Sequence, residues 1–104
     1  MSFKSLYPDA IIPDLDLPTY MFSHSKKSTE YGHNPDLVAM VQGSQQMTFG
    51  QFEAGSVAFG SGLYNTLGFR QGDVLATVLT NSIMYPVVTM GTLMVGGVVT
   101  TANP

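Results

Sequence analysis

VLATVLTNSIMYPVVTMGTLMVGGVVTTA, residues 74–102, is the stretch whose reading decides the fold. It contains no Asp, Glu, Lys, Arg or His, and Asp73 is the last charged residue of the chain. Two architectures bury such a run. Ile83 to Ala102 matches the roughly 20 residues that a bilayer core requires. However, Asn81, Ser82 and Pro86 on one side and Gly96, Gly97, Thr100 and Thr101 on the other divide the run into pieces too short to span. The pieces read instead as strand 74–79, helix 83–95 and strand 98–102, with Asn81 and Ser82 capping the helix and Pro86 placed in its donor-free first turn. A strand–helix–strand unit at this spacing makes two parallel neighbours joined by a right-handed crossover.

Moving towards the N-terminus, Gln71-Gly72-Asp73 is a turn, and Phe49, Phe52, Phe59, Leu63 and Leu67 recur at helical spacing. The helix over 49–67 opens at Thr48 with Gln51 three residues on, a capping box, and closes at Gly68, where a left-handed cap belongs. Gly50, Gly55, Gly60 and Gly62 weaken it by about 1 kcal/mol each against alanine, so packing must hold it. Gly55 and Gly62, beside Phe52 and Phe59 on the helical wheel, are the expected points of close backbone approach. Leu37–Val41 and Gln45–Thr48 read as a hairpin turning at Gly43-Ser44. A short helix from Leu17-Pro18 to about Ser28 has Asp16 at its cap, Lys26 and Lys27 at its negative end, and Gly32 as its stop. Residues 1–16, rich in Pro and Asp, read as an extended strap on a surface. The fold class is therefore α/β.

The 104 residues carry a net charge of -3 with no Cys and no Trp, enough for one small domain or a piece of a larger one. Lys4, Lys26, Lys27 and Arg70 are the only Lys and Arg cations, too few for the phosphate-neutralising stripe that nucleic acid needs. Pro8, Asp9, Pro13 and Asp14 interrupt any apolar run that could act as an export signal. Absence of Cys removes disulfides and thiolate metal sites and fits a reducing compartment.

No residue is assigned a catalytic, cofactor-binding or metal-binding role. Gly91 and Gly96-Gly97 lack a nearby cation and sit within or after a helix, where the dipole repels anions. His24, His33, Glu30 and Asp36 share no helical face, and Asp14 with Asp16 lacks the further carboxylates of a calcium loop. Gly60-Ser61-Gly62 falls in mid-helix without the context of a nucleophile elbow. Of Met84, Met90 and Met94, the last two are one turn apart and read as core.

The order Leu6-Tyr7-Pro8-Asp9, Ile11-Ile12-Pro13, Leu17-Pro18 with Tyr20 and Phe22, Thr48-Phe49, Gly62-Leu63, Leu67-Gly68, Gln71-Gly72-Asp73-Val74 and Asn81-Ser82 resembles the opening of plant and fungal 4-coumarate–CoA ligase-like enzymes. The resemblance continues through Gly96-Gly97-Val98-Val99-Thr100-Thr101-Ala102-Asn103-Pro104 and so covers the whole chain. It implies that residues 1–104 are the N-terminal part of a larger AMP-binding (adenylate-forming) domain. It also implies a parent enzyme that uses ATP and magnesium to adenylate a carboxylic acid and then forms a coenzyme A thioester. The family's lysine-terminated phosphate loop, adenine-contacting motif, hinge aspartate and C-terminal catalytic lysine have no counterpart between Met1 and Pro104, so no cofactor is expected on this chain alone. The expected partner is the remainder of the enzyme, or a second copy through 74–102. A stand-alone module descended from the family is the alternative. The expected location is cytoplasmic, with the peroxisome as the alternative.

Overall fold

A two-residue turn sets the first register. The computed structural model describes residues 2–27 and 34–104, with side chains for 2–23 and 34–104. β1 (Val38–Gln42) pairs antiparallel with β2 (Gln45–Thr48), Gln42 opposite Gln45, and Gly43 takes φ +57° in the turn. β1 runs one residue later than the sequence suggested, because a turn confined to Gly43-Ser44 recruits Gln42 into the ladder. A bulge lies between Val38 and Met40.

α2 (Phe49–Thr66) starts as expected. The Gln51 N–H donates to Thr48 Oγ1 (3.2 Å), and the Thr48 N–H donates to Gln51 Oε1 (2.9 Å). Thr48→Ala should destabilise the segment by about 1 kcal/mol, and Thr48→Ser by much less. Urea titration of the two variants checks this; equal loss would show that the hydroxyl cap is not what matters. At the other end Gly68 has φ +67°, the Phe69 N–H reaches the Leu63 carbonyl (3.0 Å), and Arg70 Nη1 donates to the Tyr64 and Phe69 carbonyls. The Arg70 guanidinium also lies over the Tyr64 ring, 3.9 Å from its centroid. A cation thus meets the negative end of the helix.

The buried stripe of α2 is Phe52, Ser56, Gly60 and Leu63, not the all-large stripe that the periodicity suggested. Phe49 and Leu67 are exposed. The reason is α3 (Met84–Met94), which crosses α2 at backbone distance. A Cβ added to Gly60 would stand 2.7 Å from the Gly91 carbonyl oxygen, and one on Gly91 would stand 2.7 Å from the Ser56 oxygen. Close approach therefore occurs at Gly60, not at Gly55, whose added Cβ would make ordinary contact with Val87, or at Gly62, which faces open space. Buried Ser56 and Thr92 bond their hydroxyls to the Phe52 and Val88 carbonyls one turn back, so neither leaves a polar atom unmet at the crossing.

β3 (Val74–Thr77) and β4 (Val98–Thr101) pair in parallel, Val74 with Val98 through Thr77 with Thr101, and α3 connects them. The strands stop short of the expected 74–79 and 98–102. The last bond runs from the Ala102 N–H to the Thr77 carbonyl (2.9 Å). Gly96 turns the chain with φ +73°. α1 (Leu17–Lys27) packs against α3, and the core forms around Phe22, Phe52 and Val87, with Phe22 edge-on to Phe52 at 5.2 Å. Met21, Met40, Met47, Phe59, Met90 and Met94 close around these three. α3, touching α1, α2 and β4, is the element that organises the rest.

Candidate functional site: an uncovered sheet face

The parallel pair has an inner and an outer face. Thr77 is buried and joined to the Tyr85 hydroxyl (3.2 Å) and the Thr100 carbonyl (3.3 Å), and Leu75 and Val99 are half-buried with it. Alternation then puts Val74, Ala76, Val98 and Thr100 on the opposite face, and all four are exposed. Val74 is 59% exposed, Val98 50%, and Val78 just beyond the strand 60%. Among the described residues the edge of β4 is open as well. Val98 and Ala102 spend their N–H groups on β3, so the alternating ladder turns the Val99 and Thr101 backbone outward. Residues 2–16 form no helix or strand, and Leu6 (99% exposed) and Ile11 (96%) stand away from the body.

The glycines have structural work. The Gly96 and Gly97 N–H groups donate to the Leu93 and Thr92 carbonyls at 3.0 Å, closing the end of α3, and are not available to an anion. A Cβ on Gly97 would collide with the Phe69 ring and with Thr92, and Gly91 is covered by α2. Met90 and Met94 face the core, while Met84 is exposed. Ser61 is exposed on α2. Glu30 and His33 and the side chain of His24 lie outside the described residues; among those described, no three His, Cys, Asp or Glu side chains come together as a metal site.

Asp16 caps α1: its Oδ1 accepts from the Thr19 N–H (2.9 Å) and its carbonyl from the Tyr20 N–H (2.9 Å). The Thr19 backbone bond, then the Thr19 side chain, hold the Asp16 carboxyl below its ordinary value, because both favour the ionised form. The folded pKa lies below the unfolded one, so this contribution to α1 is present above the ordinary carboxylate range and is lost as pH falls through the lowered value. The Thr19 amide resonance should titrate with Asp16 in that acidic window, and should not titrate in Asp16→Asn.

The sequence offered no signal for Gln42. Its Nε2 donates to the Asn81 carbonyl (2.8 Å) and its Oε1 accepts from the Ile83 N–H (3.1 Å). Asn81 and Ser82 were the expected caps of α3. Ser82 Oγ accepts only from the Met84 N–H (3.1 Å), and no side chain caps the helix from Ile83, the residue at the N-cap. A side chain from the hairpin satisfies the N–H of that residue instead.

Residues 28–104 match the family described as AMP-binding enzyme. This chain belongs to that family. The chain is 39% identical over 103 residues, 98% of its length, to 4-coumarate–CoA ligase 3 of Arabidopsis thaliana, and covers 18% of that protein. It is similar in structure to a benzoate CoA ligase from Burkholderia xenovorans LB400, with TM-score 0.74 and 24% identity over 86% of this chain and 17% of that one. The N-terminal subdomain of NpsA from Klebsiella oxytoca gives TM-score 0.71 at 19% identity, over 85% of this chain and 21% of that one. These two likenesses establish the fold alone, an α/β architecture with the antiparallel hairpin and the parallel pair. The chain spans less than a fifth of the length of the curated relatives it matches. No helix among the described residues is long and apolar enough to cross a membrane.

Proposed function

We propose that this chain is the N-terminal, non-catalytic part of an acid–CoA ligase. In the parent reaction a carboxylate attacks the α-phosphorus of ATP, giving acyl-AMP and pyrophosphate. The coenzyme A thiol then displaces AMP to give the thioester. The observation that carries this reading is the family match over 28–104 together with 39% identity to a 4-coumarate–CoA ligase along nearly the whole chain. The described residues do not fit a nucleotide–magnesium site. Gly96 and Gly97 spend their N–H groups on α3, and no group of carboxylates or imidazoles converges. The segment's part in the reaction is to build the scaffold. In this reading residues 1–104 belong to one larger domain, 2–16 strap a surface of that domain, and the remainder of the enzyme covers the outer face of β3 and β4.

The enzyme carrying this segment should exchange labelled pyrophosphate into ATP only when a carboxylic acid is present, with aryl acids such as 4-coumarate and then fatty acids as the first substrates to try. Acid-independent ATP hydrolysis, with no exchange, would overturn the reading.

A further inference from the structure

We propose that Gln42 is a positioning residue for the 78–83 loop, which it holds at the ligand-bearing end of the parallel sheet. The inference rests on the reading of the parent reaction given above.

Gln42 lies at the tip of the hairpin, fixed by its register with Gln45 and by the Gly43 turn. Its amide takes one carbonyl and one N–H two residues apart, those of Asn81 and Ile83. A residue in an adjacent parallel strand would bond the same two groups. The side chain therefore replaces a strand's backbone where the ladder has ended, since β3 stops at Thr77. Both bonds cross about forty residues of sequence, so no local preference of the loop accounts for them. Losing them would leave the Asn81 carbonyl and the Ile83 N–H to water and free the loop to move.

The loop's place gives that restraint its functional weight. In open α/β sheets ligands bind in the crevice outside the carboxyl ends of the strands. Residues 78–83 leave the carboxyl end of β3, and Thr101 at the carboxyl end of β4 is paired with Thr77 beside them. Val78, Thr80 and Asn81 are exposed there. An open groove of about 260 Å³ between Met40, Gln42, Asn81, Ser82 and Pro86 separates the hairpin from the loop. Reacting groups lose rate steeply when positioning elements shift by about an ångström, so the amide acts on the reaction through the loop without touching substrate.

The test uses the whole enzyme carrying this segment. Gln42→Met keeps length and removes both bonds; Gln42→Glu keeps the acceptor for Ile83 and loses the donor to Asn81. Each should lower kcat/KM for acid-dependent pyrophosphate exchange, Gln42→Met by about tenfold, at a temperature where circular dichroism shows the folded fraction unchanged. Hydrogen exchange at the Ile83 amide should quicken in Gln42→Met. Unchanged kcat/KM beside an active wild type overturns this inference alone, as does a loss of activity that only follows the folded fraction. A wild type that exchanges with no acid at all overturns the parent reading and this inference with it.

Discussion

Gly91→Val should destabilise the segment by about 3 kcal/mol, the upper end of what forced overpacking costs. A Cβ at Gly91 meets the Ser56 carbonyl oxygen at 2.7 Å, Phe59 Cδ1 at 2.9 Å and the Gly60 nitrogen at 3.1 Å. The phenyl ring can rotate away, but the two backbone atoms cannot, so α2 and α3 must separate. Separation strips cover from Phe52 and Val87 in the core that lies beside the crossing. Gly91→Ala should cost less, because alanine regains about 1 kcal/mol of helix propensity against glycine. Gly62→Ala should do the opposite and stabilise by about 0.5–1 kcal/mol, since a Cβ there meets nothing within 4 Å. Urea unfolding of the enzyme carrying the segment, followed by hydrogen exchange at α2 and α3 amides, measures all three. Equal protection in Gly91→Val and wild type would mean that the helices tolerate a wider crossing than the structure shows.

What the sequence made legible was local chemistry and long apolar runs. Thr48 and Gln51 are three residues apart, and Gly43 and Gly68 stand where a positive φ is needed, so each feature could be read in a short window. The uncharged stretch from Val74 onward was long enough to give a strand, a helix and a strand in the right order. What failed depended on a partner element. Phe59 and Leu67 are larger than Ser56 and Gly60 and so looked like the core stripe, but α3 comes close enough to select smallness over apolarity at the crossing. Gly55 and Gly62 were chosen for their neighbours on the wheel, whereas the position of α3, which the wheel does not contain, made Gly60 the contact. Asn81 and Ser82 have the composition of a cap, yet Gln42 serves the N–H of Ile83, because the hairpin brings it there. Of the candidate groups, the glycines after α3 read as structural from the missing cations together with their place at the end of a helix. Gln42 was not, because no spacing rule relates it to Asn81 and Ile83.

Separated from the rest of its enzyme, the 104-residue segment should self-associate through the outer face of β3 and β4. Two strands do not make an independently stable sheet unless their apolar faces are covered. α3 covers one face here, and Val74, Val78 and Val98 leave the other bare. The strap, with Leu6 and Ile11 exposed, adds to what is uncovered. The run from Val74 to Pro104 adds no charge to the contact, and the exposed Asp73 beside Val74 and Val98 borders it. The open β4 edge offers unpaired backbone groups as well. Sedimentation velocity over a dilution series should show association that grows with concentration. Val78→Lys combined with Val98→Lys should return the segment towards monomer, since both positions are exposed enough to accept lysine without disturbing the fold, while burying two ammonium groups between copies is costly. A monodisperse monomer at every concentration would mean that the segment closes its own core, and the outer face would then lose its standing as the surface that the remainder of the enzyme covers.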